Sequence, residues 1–208
     1  MRLFASLLFL SFVLTAAPMA ARAGDDTAAA KSYVDNVIGQ AMQTIKDTRA
    51  GKMNADGAKT KFRGILNSAF DVNTIARFTL GSNWRVATPA EQAEYTRLLK
   101  KVILDKYADR LLEFSGDRYT VDGARNINDR DVAVSSTIFP ADKPSVSFDW
   151  RLRRTGNSFK VIDLAVEGVS MSVTHRTDFG SVISSNGGKV QALIDALKDK
   201  EKAQALGD

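Results

Sequence analysis

An α+β fold is what two apolar periodicities, and the switch between them, predict for this 208-residue chain. Up to about residue 114, apolar residues recur every three or four positions, as on amphipathic helices. From residue 118 they alternate, as on half-buried strands. A helical pattern resumes after Gly187-Gly188, and no repeat or low-complexity linker separates the halves. The expected architecture is a helical N-terminal half packed on a curved, mainly antiparallel sheet of about four to five strands, with a closing C-terminal helix.

Each element has its own signal. Arg2, the apolar run Leu3 to Ala17 and Ala21-Arg22-Ala23 form a cationic head, a hydrophobic centre and a small-residue cleavage site. That run is too short for a membrane span, which needs ~20 apolar residues. Residues 1–23 therefore read as a secretory signal peptide, and 24–208 as a single domain beginning near Gly24. Val34, Val37, Ile38, Ala41, Met42 and Ile45 mark a first helix, and Phe62, Ile65, Leu66, Ala69 and Phe70 a second. Asp71 caps a short third helix that ends at Gly81. Thr88-Pro89-Ala90-Glu91 is a capping box with proline at the first helical position. It opens a long helix through Leu98, Leu99, Val102, Ile103, Tyr107, Leu111 and Leu112 towards Phe114. Strands are expected at Arg118 to Val121, Asp131 to Phe139, Ser145 to Arg153, Phe159 to Val166 and Val169 to Thr174. In the fourth, Ile162, Leu164 and Val166 face one way, and Asp163, Ala165 and Glu167 the other, as a solvated face; Gly168 signals a bulge or sharp bend. Val190, Leu193, Ile194 and Leu197 carry the last helix.

Composition excludes several chemistries. Cysteine is absent, so disulfides and thiolate catalysis are ruled out, as is the lipid-modified type of signal. Removing Arg2 and Arg22 lowers the formal charge from +5 to +3. The densest basic spots, Lys100-Lys101 and Arg151, Arg153 and Arg154, have no interleaved aromatics, so no nucleic-acid surface is expected. His175 is the one histidine; set in a polar turn it reads as a surface residue, and a histidine-rich metal site and a Cys–His pair are both ruled out. Gly187-Gly188 lacks the repeated glycines of a phosphate-cradling loop. No enzyme and no cofactor are expected. Apolar surface remains on the strands and on the helices, and the residues alone make this an ordinary filled core.

The segment Phe159 to Gly180, FKVIDLAVEGVSMSVTHRTDFG, is more specific. Its Glu167-Gly168-Val169-Ser170-Met171 core resembles the signature strand of the MlaC, or toluene-tolerance, family. Leu80-Gly81, Trp84-Arg85, the Thr-Pro cap and Tyr95 resemble that family's second signature, with Asn83 where an aromatic or large residue is common. The resemblance runs over roughly residues 30 to 200. It implies a periplasmic phospholipid carrier of the system that maintains outer-membrane lipid asymmetry, with part of the interior left open for acyl chains. Leu80, Trp84, Val102, Ile103, Tyr107, Leu111 and Phe114 are the helical candidates to line that cavity. Val146, Phe148, Trp150, Ile162, Leu164, Val166, Val169, Met171 and Val173 are the sheet candidates. The implied partners are a ring-forming lipid-binding subunit of an inner-membrane ABC transporter, an outer-membrane lipoprotein complex and, transiently, a membrane surface. Two alternatives stay open: a hopanoid or other apolar-lipid carrier of the related HpnM subgroup, and an interaction or assembly protein with a filled core.

Overall fold

The structure, a computed structural model, describes residues 20–112, 116, 118–141 and 143–206. The expected signal run lies outside the described residues. In chain order the elements are α1 (Ala20–Arg49), α2 (Ala55–Ala69), α3 (Val72–Leu80), a 3-10 turn (Gly81–Arg85), α4 (Pro89–Leu112), β1 (Arg118–Asn126), β2 (Asp131–Phe139), β3 (Val146–Thr155), β4 (Ser158–Val166), β5 (Val169–Ser170), α5 (Met171–Ser185) and α6 (Val190–Leu206).

The helix starts are those the capping chemistry predicts. Asp71 accepts from the Thr74 amide at 3.0 Å and from the Thr74 hydroxyl at 2.6 Å. At α4, Thr88 Oγ1 accepts from the Glu91 amide at 3.2 Å while the Glu91 carboxylate accepts from the Thr88 amide at 2.8 Å. Gly81, at φ 60°, ends α3 in a conformation that a Cβ would strain.

The strands form an open antiparallel meander, β1-β2-β3-β4-β5. Its inner face carries Val132, Val134, Ser136 and Ile138 of β2 opposite Leu152, Trp150, Phe148 and Val146 of β3. The buried Trp150 indole donates to Ser136 Oγ at 2.9 Å, so the inner face holds no unsatisfied polar pair there. On the outer face Asp131 is buried beneath Arg151 and Arg153, whose guanidinium groups each approach it to 2.8 Å.

Two sequence expectations fail in β4 and just beyond it. Strict alternation puts Ile162 with Leu164 and Val166, but the register slips there: Arg151 pairs with Asp163 and Leu152 with Val161. Ile162 is thus the extra residue of a β-bulge, and Val161 joins Leu152 on the inner face. Ile162 is buried all the same. The strand expected over Val169 to Thr174 is two residues long, and a helix replaces the rest. Val166 pairs with Val169 across Glu167 and Gly168, at φ 50° and 78°, the two positive-φ residues of a tight hairpin turn. Ser170 then caps α5, its Oγ accepting from the Val173 amide at 3.1 Å. The alternation of small and apolar residues after Gly168 belongs to a capped helix start.

Two hydrophobic clusters fill the interior. One lies between α1, α2 and the inner face of the sheet, around Ile38, Phe62, Val134 and Leu152. The other is helical, made by α3, α4, α5 and α6 around Tyr95, Leu98, Ile183 and Ile194. Phe70, between α2 and α3, packs against both and is bridged to Val161 of β4.

Candidate functional site

Between α1, α2 and the sheet lies a cavity of about 360 Å³. A dry apolar cavity of about 150 Å³ already admits benzene, so this space is large enough for hydrocarbon. One wall is the stripe Val37, Ile38, Ala41, Met42 and Ile45 of α1, with Phe62, Ile65 and Leu66 of α2 beside it. The opposite wall is Val146, Phe148 and Trp150 of β3 with Leu164 and Val166 of β4. Phe70, Val72, Ile75, Ile138, Pro140 and Met171 add to the apolar lining, and among the described residues only Lys100, Asp163, Ser172 and His175 interrupt it.

The polar residues of β4 and α5 are largely engaged with one another. Asp163 accepts from the Ser170 hydroxyl at 2.6 Å, the Ser172 amide at 3.0 Å and the Leu164 amide at 2.9 Å. It therefore fastens the start of α5 to β4 and is no solvated outer-face residue, as alternation had suggested. His175 sits on α5, not in a turn, and its ring stacks on Phe179 with centroids 5.3 Å apart. Phe179 meets Tyr95 edge-on at 6.1 Å, and the Tyr95 hydroxyl lies 2.6 Å from Thr79 Oγ1. This chain of contacts joins the cavity wall to the helical core, where burial pushes the Tyr95 phenol well above its usual range.

Six expected lining residues are in the cavity wall: Val146, Phe148, Trp150, Leu164, Val166 and Met171. Leu80, Trp84 and Val102 belong to the helical cluster, and the Arg77 guanidinium lies over the Trp84 ring at 5.5 Å. Ile162 is displaced by the bulge, and Val169 and Val173 are exposed at 59% and 51%. The side chains of Ile103, Tyr107 and Leu111, and the whole of Phe114, lie outside the described residues. The stripe of α1 and the residues of α2 were missed as lining. Their periodicity marks an inward face but does not say whether that face meets side chains or space.

An open antiparallel sheet covered on one face by helices, with one nearly continuous apolar cavity between them, defines a binding domain for an apolar ligand. A family model described as MlaC protein matches residues 35–199, and the chain belongs to the MlaC family. Over 174 residues it is 23% identical to a Pseudomonas putida protein named Toluene tolerance protein ttg2D, covering 81% of each chain. In fold it is similar to a phospholipid-binding protein from Ralstonia solanacearum solved in complex with a phospholipid, with a TM-score of 0.71 and 24% identity over 84% of this chain and 98% of that one.

Proposed function

We propose that this protein is a soluble periplasmic carrier of phospholipid, made with a cleaved signal over residues 1–23 and one lipid-binding domain over 24–208. The observation that carries this reading is the cavity, whose walls are apolar on both the helical and the sheet side. Family membership and the phospholipid held by the Ralstonia solanacearum protein support it.

The energetics give such a carrier its use. Each buried methylene is worth about 0.8 kcal/mol, so a chain of roughly fourteen costs ~11 kcal/mol to expose to water. That is on the order of a 10⁸-fold penalty per chain for crossing an aqueous compartment unaided. A cavity that replaces bilayer contacts removes most of it, provided the protein binds no tighter than the membrane and can release. The function is binding and release, with no bond made or broken and no cofactor. In this reading the partners are the lipid-binding ring subunit of an inner-membrane ABC transporter, an outer-membrane lipoprotein complex and, briefly, a membrane surface.

A transfer assay tests the proposal. Labelled phospholipid moving from donor to acceptor vesicles should speed up in proportion to protein concentration. Transfer at the spontaneous rate would overturn the carrier function, and acceleration confined to hopanoid would reassign the cargo.

A further inference from the structure

A second space, of about 330 Å³, adjoins the apolar cavity and has the opposite character. It opens among Asn67 at the end of α2, Asn73 at the start of α3, Thr96 and Lys100 of α4, and Lys160 of β4. Phe70, Val72 and Lys100 line both spaces, so an apolar chamber and a cationic crevice meet at a shared wall. Lys100 is half-buried and makes no ion pair or hydrogen bond with any described residue. Lys160 Nζ donates to the Ser68 carbonyl, and an ammonium group has three protons to give. Among the described residues one anion lines the crevice with them, Asp71, and its carboxylate is engaged by the amide and hydroxyl of Thr74. Two ammonium groups thus outnumber one committed carboxylate, with the neutral donors of Asn67, Asn73 and Thr96 around them.

A half-buried cation beside hydrocarbon is costly unless an anion neutralises it. We infer that this crevice seats the phosphate of a ligand whose acyl chains occupy the apolar cavity, with Lys100 and Lys160 as its cationic contacts. The inference rests on the phospholipid-carrier reading and adds to it the position of the headgroup. Phosphate is common to all glycerophospholipids, and Asn67 and Asn73 are exposed, so the alcohol beyond the phosphate faces water. The seat would therefore select for a phosphodiester and not for a particular headgroup.

Binding of phosphatidylglycerol, of diacylglycerol with the same chains, and of inorganic phosphate separates the possibilities. Wild-type protein should prefer phosphatidylglycerol to diacylglycerol by about tenfold or more, the scale of one charge-assisted hydrogen bond. In Lys160→Gln, and further in Lys100→Gln/Lys160→Gln, that ratio should fall towards one, and Lys100→Arg/Lys160→Arg should restore it. Melting curves alongside report the fold. A wild-type ratio near one would overturn the headgroup seat while leaving a carrier of apolar chains. Inorganic phosphate bound in the crevice with that ratio still near one would assign the site to a free anion instead. Failure to bind either lipid would overturn the carrier reading itself.

Discussion

The two halves of the interior are made from the same kinds of residue and do different things. Among the described residues, the large fully buried side chains Tyr95, Leu80, Leu98, Leu99, Ile183, Leu193, Ile194 and Leu197 lie in the helical cluster, and Phe62, Leu152, Val34 and Val134 beside the sheet. The helical cluster closes on itself, because α3 and α4 interlock with α5 and α6 around Tyr95. The sheet-side cluster cannot close in the same way, since α1 and α2 span a bulged sheet and leave about 360 Å³ between them. Filling is a property of how faces meet, so equal hydrophobicity produces a scaffold in one region and a chamber in the other.

Truncating a leucine in each region is the most forceful way to break this comparison. Leu98→Ala opens a void where none existed and should cost about 3 kcal/mol. Leu164→Ala only enlarges a space already present, so its cost should stay below about 1.5 kcal/mol. Denaturant midpoints compare them directly, and equal losses would mean that the sheet side is packed as tightly as the helical side.

The outer face of the same sheet sharpens the contrast, because it is held by charge. Hydrogen bonds from Arg153 first, and also from Arg151, lower the Asp131 carboxyl from 3.8 to about 2. A carboxylate depressed on folding stabilises the fold above its unfolded pKa and loses that contribution as pH falls towards the folded one. Asp131→Asn should therefore cost about 2 kcal/mol at neutral pH, with the gap from wild type closing between about pH 4 and pH 2. A gap that does not change with pH would remove the ion-pair explanation. The smallest effect belongs to Val169→Glu: at 59% exposure this valine should tolerate the charge within about 0.5 kcal/mol.

Local chemistry was the legible part of this fold. The Thr88–Glu91 box, the Asp71 cap and Gly81 set helix limits through hydrogen bonds spanning three or four residues, and such bonds are written in adjacent letters. On its sheet side the cavity was legible in part. The β3 alternation Val146, Phe148 and Trp150 held, since β2 and β3 pair without a slip over that stretch. It misplaced Ile162, because a bulge depends on the partner strand and not on the strand's own pattern. It failed again at Val173, where Asp163 and Ser170, both short-range hydrogen-bonding residues, turn an apparent strand into a helix start. Of the α4 residues expected in the helical wall, Val102 packs against the helical core, while the side chains of Ile103, Tyr107 and Leu111 lie outside the described residues. Periodicity shows which way a helix face points, and only the tertiary arrangement shows what stands opposite.

Met171 lets one measurement reach the central claim that the sheet-side interior is a ligand chamber, since it lines the cavity at the very start of α5. Organic extracts of purified wild type and of Met171→Glu would be compared by mass spectrometry, with melting curves on the same samples. Wild type should carry glycerophospholipid. Met171→Glu should melt cooperatively with its lipid content sharply reduced, because a carboxylate in an open chamber hydrates once hydrocarbon leaves. Wild-type protein without lipid, or a folded Met171→Glu with its lipid undiminished, would contradict that claim.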